Sequence, residues 1–399
     1  MIKDILIKFI IVYIIGMVMS GCLPNKRGIP CGGLPYRDPG TMIQGEIMHV
    51  PTGFNVSKDQ FFDMISLNRI LYVGEHHDNI YDHQMELEII KNLYLRFPGK
   101  IAVGMEMLGR QNQNKVDQWL DGKITEKEFI KVFATNWGVY DHVYYRDILH
   151  FIREHHIPLL ALNAGKKEKM AVFKKNTDDQ NYGSDIYQDT YQQQALSSMF
   201  AGHKNGQGGY ENFIAVQELW EETMTGSIVN YLASDIGKDK KIIVITGGFH
   251  VAYGFGIPRR VFKRLKAPFE IVLSHTPEEL VENERQQMDV NFPELPLYRA
   301  GYLWCVPYRN LKDKQVKLGA ILTEKENEIR VVKVIEDGAA HQAGLLPGDR
   351  IVSLDAQSIN STFDLQYLLI RKKIGDHAVI DIIRNNHPVQ LPLDFKEGL

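Results

Sequence analysis

The sequence predicts an α/β fold, a mostly parallel sheet flanked by helices, followed by a small, separate β-rich domain. Three observations carry that prediction. Short β-branched apolar runs alternate with helical patterns over residues 43–290, the order expected of parallel strands joined by covering helices. After about residue 311 the style changes to short strands with turn signals. The chain of 399 residues is also too long for one typical domain. A formal net charge of −3 gives no electrostatic reason to expect nucleic acid as a partner.

In chain order, residues 1–21 read as a secretory signal. Lys3 and Lys8 bracket a charged start, Phe9 to Met19 is apolar but short for a membrane span, and the small residues Ser20 and Gly21 follow. Ser20-Gly21-Cys22 resembles the lipobox of bacterial lipoproteins. The resemblance implies cleavage before Cys22 and a diacylglycerol on its thiol, with each buried methylene contributing about 0.8 kcal/mol to anchoring. Leu23 in place of an acidic residue implies the outer membrane if the host is Gram-negative. Residues 22–42 are rich in Gly and Pro and read as a lipidated tether. Only Cys22, Cys31 and Cys305 occur, so a Cys31–Cys305 disulfide and a free pair both remain open.

Expected strands in the first domain, residues 43–290, are Arg69 to Val73, Ile101 to Met105, Pro158 to Leu162, Lys241 to Ile245 and Phe269 to Leu273. Helices are expected at Asp82 to Arg96, at Thr125 to Thr135 with Thr125 and Glu128 as a capping box, and at Arg146 to His155. A fourth runs from about Glu211 to Leu232, with Phe213, Val216, Trp220, Met224 and Ile228 on one stripe. Lys166 to Gly209 is polar and reads as an insertion of short helices and loop. Residues 291–310 read as a connector or, at Tyr302 to Val306, an edge strand. In the last domain, 311–399, strands are expected at Ile329 to Val334, Arg350 to Leu354 and Ala378 to Arg384, with a helix at about Ser361 to Arg371.

Chemically loaded residues follow the predicted strands: Gly74-Glu75-His76-His77-Asp78, Glu106, Asn163 and Gly247-Gly248-Phe249-His250. A parallel sheet brings its carboxyl ends to one edge, where ligands bind, so these residues are expected to converge. Glu75, His77, Glu106 and His250 have the chemistry to hold a divalent metal, or to divide acid and base roles. Asp78 and His83 are candidates for orienting them.

The same segments resemble a known family. Gly74 to Asn79 with His83, Met105-Glu106-Met107, Pro158 to Asn163, Gln217-Glu218-Leu219-Trp220 with Met224, and Gly247 to Arg260 are similar to the ChaN family of iron-regulated, haem-binding lipoproteins, within the erythromycin esterase and Tiki superfamily. Gly74 to His77 and Gly247 to His250 match its Gly-x-x-His pattern. The resemblance implies haem as cofactor, a cofacial homodimer, and a part in haem or iron acquisition or storage. Ferric haem needs an axial oxygen or nitrogen and cations for its propionates. In Trp137 to Arg146, aligned on the family's Trp-to-Tyr segment, Tyr145 is the expected ligand and Tyr144 the second choice. Arg259 and Arg260 are the expected propionate partners. Hydrolysis by Glu75, His77, Glu106 and His250, as in other members of the superfamily, is the alternative, so whether the chain is an enzyme stays open here.

Lys317 to Ala320 and the run from Gly338 to Ile351 resemble a PDZ domain. That resemblance implies capture of a partner protein's C-terminus by the loop Leu318, Gly319 and Ala320.

Overall fold

The computed structural model describes residues 39–174, 189–201, 209–284, 292–293 and 295–396. The expected signal segment, Cys22, Cys31 and the tether up to residue 38 lie outside the described residues. Among those described, no helix is long and apolar enough to cross a membrane. Cys305 is buried.

The first domain begins with two short strands, β1 (Ile47–His49) and β2 (Phe54–Val56), and helix α1 (Lys58–Ile65). There follow β3 (Ile70–Glu75), α2 (Ile80–Arg96), β4 (Ile101–Gly109), α3 (Gln113–Leu120), α4 (Glu126–Asn136), α5 (His142–Glu154) and β5 (Leu159–Asn163). The insertion contributes α6 (Lys166–Lys174) and α7 (Thr190–Ala201). Then come α8 (Gly209–Ala233), β6 (Lys241–Gly247), α9 (Ile257–Arg264), β7 (Phe269–His275) and β8 (Tyr302–Cys305).

These strands form one sheet in the order β2-β1-β8-β7-β3-β6-β4-β5. From β8 to β5 every neighbouring pair is parallel. β1 joins β8 antiparallel and β2 joins β1 antiparallel. Tyr302 to Cys305 is therefore an inner strand and not an edge, because β1 and β2 cover its open side. They are three residues each, too short to show a period, and the sequence reading passed over them.

The runs are apolar on both faces because helices cover both. Leu71 and Val73 of β3 face a core with α1 to α5, including Phe61, Ile89, Trp119, Phe129 and Tyr145. Ile70 and Tyr72, pointing the other way, face a core with α8 and α9, including Met224, Ile228, Ile257 and Val261. Helix α4 starts at the capping box read from the sequence: Glu128 donates its amide to the Thr125 hydroxyl, and the Thr125 amide donates to the Glu128 carboxylate at 2.8 Å.

The C-terminal domain contains β9 (Ala320–Lys325), β10 (Glu328–Val334), α10 (Ala339–Gln342), β11 (Arg350–Leu354), β12 (Gln357–Ser358), α11 (Thr362–Leu369), β13 (His377–Arg384) and β14 (His387–Asp394). They form an antiparallel sheet, β14-β13-β11-β10-β9, with β12 beside β11. Its own core gathers Ile329, Val331, Ile351, Leu365, Ile380 and Leu393. Asp349 is buried and held bidentately by Arg384, at 2.8 and 2.7 Å. Gly319, in the loop before β9, has φ +76° and a Cβ there would lie 3.0 Å from Gly338 Cα, so glycine is required on both counts. The domains touch: Lys127 of α4 pairs with Asp364 at 2.6 Å, and the Leu311 amide donates to the Tyr144 hydroxyl at 2.6 Å.

Candidate functional site

The carboxyl ends of three adjacent strands, β3, β6 and β4, bring the predicted residues together. Two glycines make the approach possible. A Cβ on Gly74 would lie 2.8 Å from Gly248 Cα, and one on Gly247 would lie 2.9 Å from His77 Nε2. The two Gly-x-x-His segments thus pack backbone to backbone, which only glycine permits.

Glu75 is the hub of the first half. His77 Nδ1 lies 2.6 Å from its Oε1, and the Tyr145 hydroxyl donates to the same oxygen at 2.5 Å. His83 Nδ1 sits 3.2 Å from Glu75 Oε2 and 3.0 Å from Glu86 Oε2, while His83 Nε2 is 3.2 Å from the His77 carbonyl. Both His83 nitrogens face acceptors, so both carry protons and the ring is a cation. Burial opposes that charge, yet the Glu75 and Glu86 carboxyls raise His83 well above its ordinary value. Burial would also raise Glu75, but His83 and His77 hold it well below the usual carboxylate range. Burial and the Glu75 charge push Glu86 well up, so Glu86 keeps its proton. These three buried side chains have ligand atoms close enough to surround one cation. The imidazolium already supplies the positive charge there.

His77 is the member open to solvent, with its side chain 19% exposed against 0% for Glu75. Its Nδ1 is tied to Glu75, which leaves Nε2 pointing outward beside Gly247. Trp137 packs edge-on against the ring at 4.8 Å. Burial opposes a charge on His77, but the bond to Glu75 raises its pKa.

The second half centres on Glu106. It lies inside β4 rather than beyond its end, because the pairing of β4 with β5 shifts between Met105 and Gly109. Glu106 Oε2 accepts from the Thr246 hydroxyl at 2.6 Å and the Gly247 amide at 2.8 Å. Its Oε1 is 3.5 Å from His250 Nε2, and His250 Nδ1 is 3.4 Å from Glu221 of α8. Against the cost of burial, Glu106 and Glu221 lift His250 to about 10, and His250 with His77 brings Glu106 down to about 2.

Sequence reasoning missed Glu86 and Glu221. Each lies on the buried face of its helix, Glu86 with Ile89, Ile90 and Leu93, Glu221 with Met224 and Ile228. A carboxylate on a buried stripe was the available signal. Asn163 ends β5 and bonds locally to the Ala164 amide. Asp78 accepts from the Tyr308 hydroxyl at 2.8 Å, away from the role expected of it.

The residues expected to hold haem are engaged elsewhere. Tyr145 is fully buried on Glu75, and the Tyr144 hydroxyl accepts from Leu311. Arg259 bonds Asp189 and Gln192. Arg260 reaches Glu222 at 2.7 Å and Glu221 at 3.4 Å. Two other residues of the Trp137 to Arg146 segment, Tyr140 and His142, line a cavity between the domains. Burial pulls His142 down to about 4, so its ring is neutral, and pushes the Tyr140 phenol up to about 12.

A parallel α/β domain with two carboxylate–imidazole couples at its carboxyl edge, joined to a PDZ domain, defines the class of protein. The family model for haem-binding uptake, Tiki superfamily, ChaN, matches residues 61–261. The chain belongs to that family. The PDZ-domain model matches residues 316–394. Among solved structures, the chain resembles one described as cofacial haem binding to ChaN of Campylobacter jejuni. That match has 16% identity and a TM-score of 0.50, covering 67% of this chain and 97% of that one. It shows a shared fold. An HtrA-type protease AlgW with a decapeptide matches at 24% identity and TM-score 0.21, over 22% of this chain and 30% of its own. A serine endoprotease from Yersinia pestis matches at 21% identity and TM-score 0.20, over 25% and 39%. No curated protein matches the sequence.

Proposed function

We propose that this protein binds haem at the bacterial cell envelope and serves haem or iron acquisition or storage. In this reading, lipid on Cys22 anchors it and the PDZ domain recruits a partner's C-terminus. The observation that carries haem binding is the family's domain over residues 61–261. Bound haem would supply iron as cargo or as a redox centre.

The test is a haemin titration of the full chain in detergent, followed at the Soret band, with metal content measured in parallel. Saturable binding near one haem per chain supports the proposal; absence of a Soret shift would refute it. Homodimerisation, implied by the family, is read from the same samples by light scattering.

A second reading, hydrolysis, is favoured by one observation: Glu75 holds His77 Nδ1 at 2.6 Å and leaves Nε2 outward, the orientation of a general base. Failure to bind haemin, together with a stoichiometric metal lost in Glu106→Ala, would favour it.

For the PDZ domain, the full chain is expected to bind free C-terminal peptides by fluorescence polarisation, and a blocked terminal amide to abolish binding. A panel of free C-termini that all fail to bind would leave the domain as a spacer.

A further inference from the structure

A second cavity lies between the domains, with a volume of about 440 Å³. Helix α11 supplies one wall through Thr362, Phe363 and Gln366, and the first domain supplies the other through Lys131 and the stretch Trp137 to Asp141. Of the sheet-edge carboxylates and imidazoles, none lines it. Trp137 does, and the same ring packs edge-on against His77 at 4.8 Å.

The PDZ sheet fixes what this cavity adjoins. β9 ends the sheet order, so one of its edges is open to an added strand. Ala320 and Leu322 pack against the core that holds Leu365 and Leu369 of α11. Glu324, next on the same side of β9, accepts from the Thr362 amide and hydroxyl, each at 2.8 Å. The groove between β9 and α11 therefore runs from the loop Leu318 to Ala320 as far as Glu324 and Thr362. Thr362, Gln366 and Leu369 stand at i, i+4 and i+7 on one face of α11, the groove's other wall. Thr362 and Gln366 thus belong to both the groove and the cavity. A partner strand with its carboxylate at the loop runs beside β9 at about 3.3 Å per residue. It comes level with Thr362 at about its third or fourth residue from the end.

The cavity there has aromatic walls and a carboxylate without a partner. Trp137 and Tyr140 come from the first domain and Phe363 from α11. The Asp141 side chain is half-buried, does not cap its helix, and takes no hydrogen bond or ion pair among the described residues. Burial pushes its carboxyl above the ordinary value, against the opposing pull of His77. Lys131 is the one cation of the lining. Its Nζ lies 5.7 Å from the centroid of the Phe363 ring, and after the two Thr362 donors it helps to hold Glu324 below its usual value. Aromatic faces with an unpaired carboxylate complement a long cationic side chain, which stacks on the rings and pairs with the acid.

We infer that this cavity is a subsite of the PDZ groove, built by both domains, for an arginine or lysine about three or four residues from a partner protein's C-terminus. The inference rests on the peptide-binding reading above. The first domain becomes part of the recognition surface, and the bound side chain rests against Trp137, one ring away from His77.

The experiment is fluorescence polarisation of the full chain in detergent with short labelled peptides. They end in a free Val, Leu, Phe or Ala and carry Arg, Ala or Glu at the third or the fourth position from that end. Arg is expected to bind about fivefold or more tighter than Ala at one of the two positions. Glu should bind more weakly than Ala, and the spread should shrink as salt rises. Asp141→Asn, isosteric and with no partner to lose, should bring the Arg peptide to the affinity of the Ala peptide, which itself stays unchanged. Tryptophan emission should shift when the Arg peptide binds, and Trp137→Phe should remove that shift; this second variant carries the test if Asp141→Asn does not fold. Equal affinity for Arg, Ala and Glu, or an Arg preference that survives in Asp141→Asn, would overturn the subsite while leaving PDZ recognition intact. A preference for Glu would assign the cavity to Lys131 and overturn the charge of its occupant. Failure of every peptide to bind would instead overturn the PDZ reading itself.

Discussion

Replacing His83 by alanine is expected to cost about 3–5 kcal/mol of folding stability at neutral pH, the range for removing one partner of a buried ion pair. His83 is the one positive charge between Glu75 and Glu86, and all three side chains are buried. Without it, Glu75 has only His77 and the Tyr145 hydroxyl to offset its charge. The pH dependence identifies the cause. His83 has a raised folded pKa, so its contribution is fully present below about 6.5 and is lost as pH rises through the folded value. Glu75 has a lowered folded pKa, so its contribution is present above about 4.5 and is lost as pH falls through the folded value. In His83→Ala the Glu75 pKa turns upward instead, because burial is then weakly opposed. The variant therefore gains stability on acidification from pH 6.5 to 5 while the Glu75 contribution in the wild type stays constant. Urea unfolding of both chains across that window should show the gap narrowing. A cost below about 1 kcal/mol, or a constant gap, would mean that His83 is not the cation the geometry makes it.

What the sequence made legible followed from how local each signal is. Ile70 to Val73 and Lys241 to Ile245 stood out because strands buried on both faces are continuously apolar. The Thr125–Glu128 cap spans one turn and needs no tertiary information. β1 pairs with a strand some 250 residues later and β2 only with β1, and nothing in three residues announces that. β9 alternates between half-buried and exposed positions and carries Glu324 and Lys325, so its run is too polar to stand out.

The candidate site divides in the same way. Glu75, His77, Glu106 and His250 could be grouped because parallel topology gathers strand ends. Their partners Glu86 and Glu221 come from helices, where charge is usually read as the solvated face. Tyr145 and His142 occupy one buried stripe of α5, at i and i+3, yet meet different chemistry. Tyr145 ends on Glu75, while His142 ends at a cavity wall to which the C-terminal domain also contributes. Only the packing of two domains distinguishes them, and a residue pattern within one segment has no access to it.

Glu106→Gln is expected to cost about 3 kcal/mol, toward the lower end for a broken buried pair, because half of the Glu106 hydrogen bonding survives. The new amide oxygen must face the Thr246 hydroxyl and the Gly247 amide, which are both donors to Glu106 Oε2. That turns the amide NH₂ toward His250 Nε2, donor against donor, unless Nε2 gives up its proton. His250 then becomes a neutral ring protonated on Nδ1 and bonded to Glu221. The signs follow from the wild-type values. His250 is raised to about 10, so its contribution is fully present below about 6.5 and fades between 6.5 and 10. Glu106 is lowered to about 2, so its contribution is fully present above about 4.5 and fades as pH falls toward 2. The pair therefore contributes most between about pH 4.5 and 6.5. In Glu106→Gln the alkaline decline due to His250 should disappear, and its ¹⁵N imidazole shifts should report the neutral tautomer at pH 7. A wild-type His250 that titrates near 6.5 would contradict the argument.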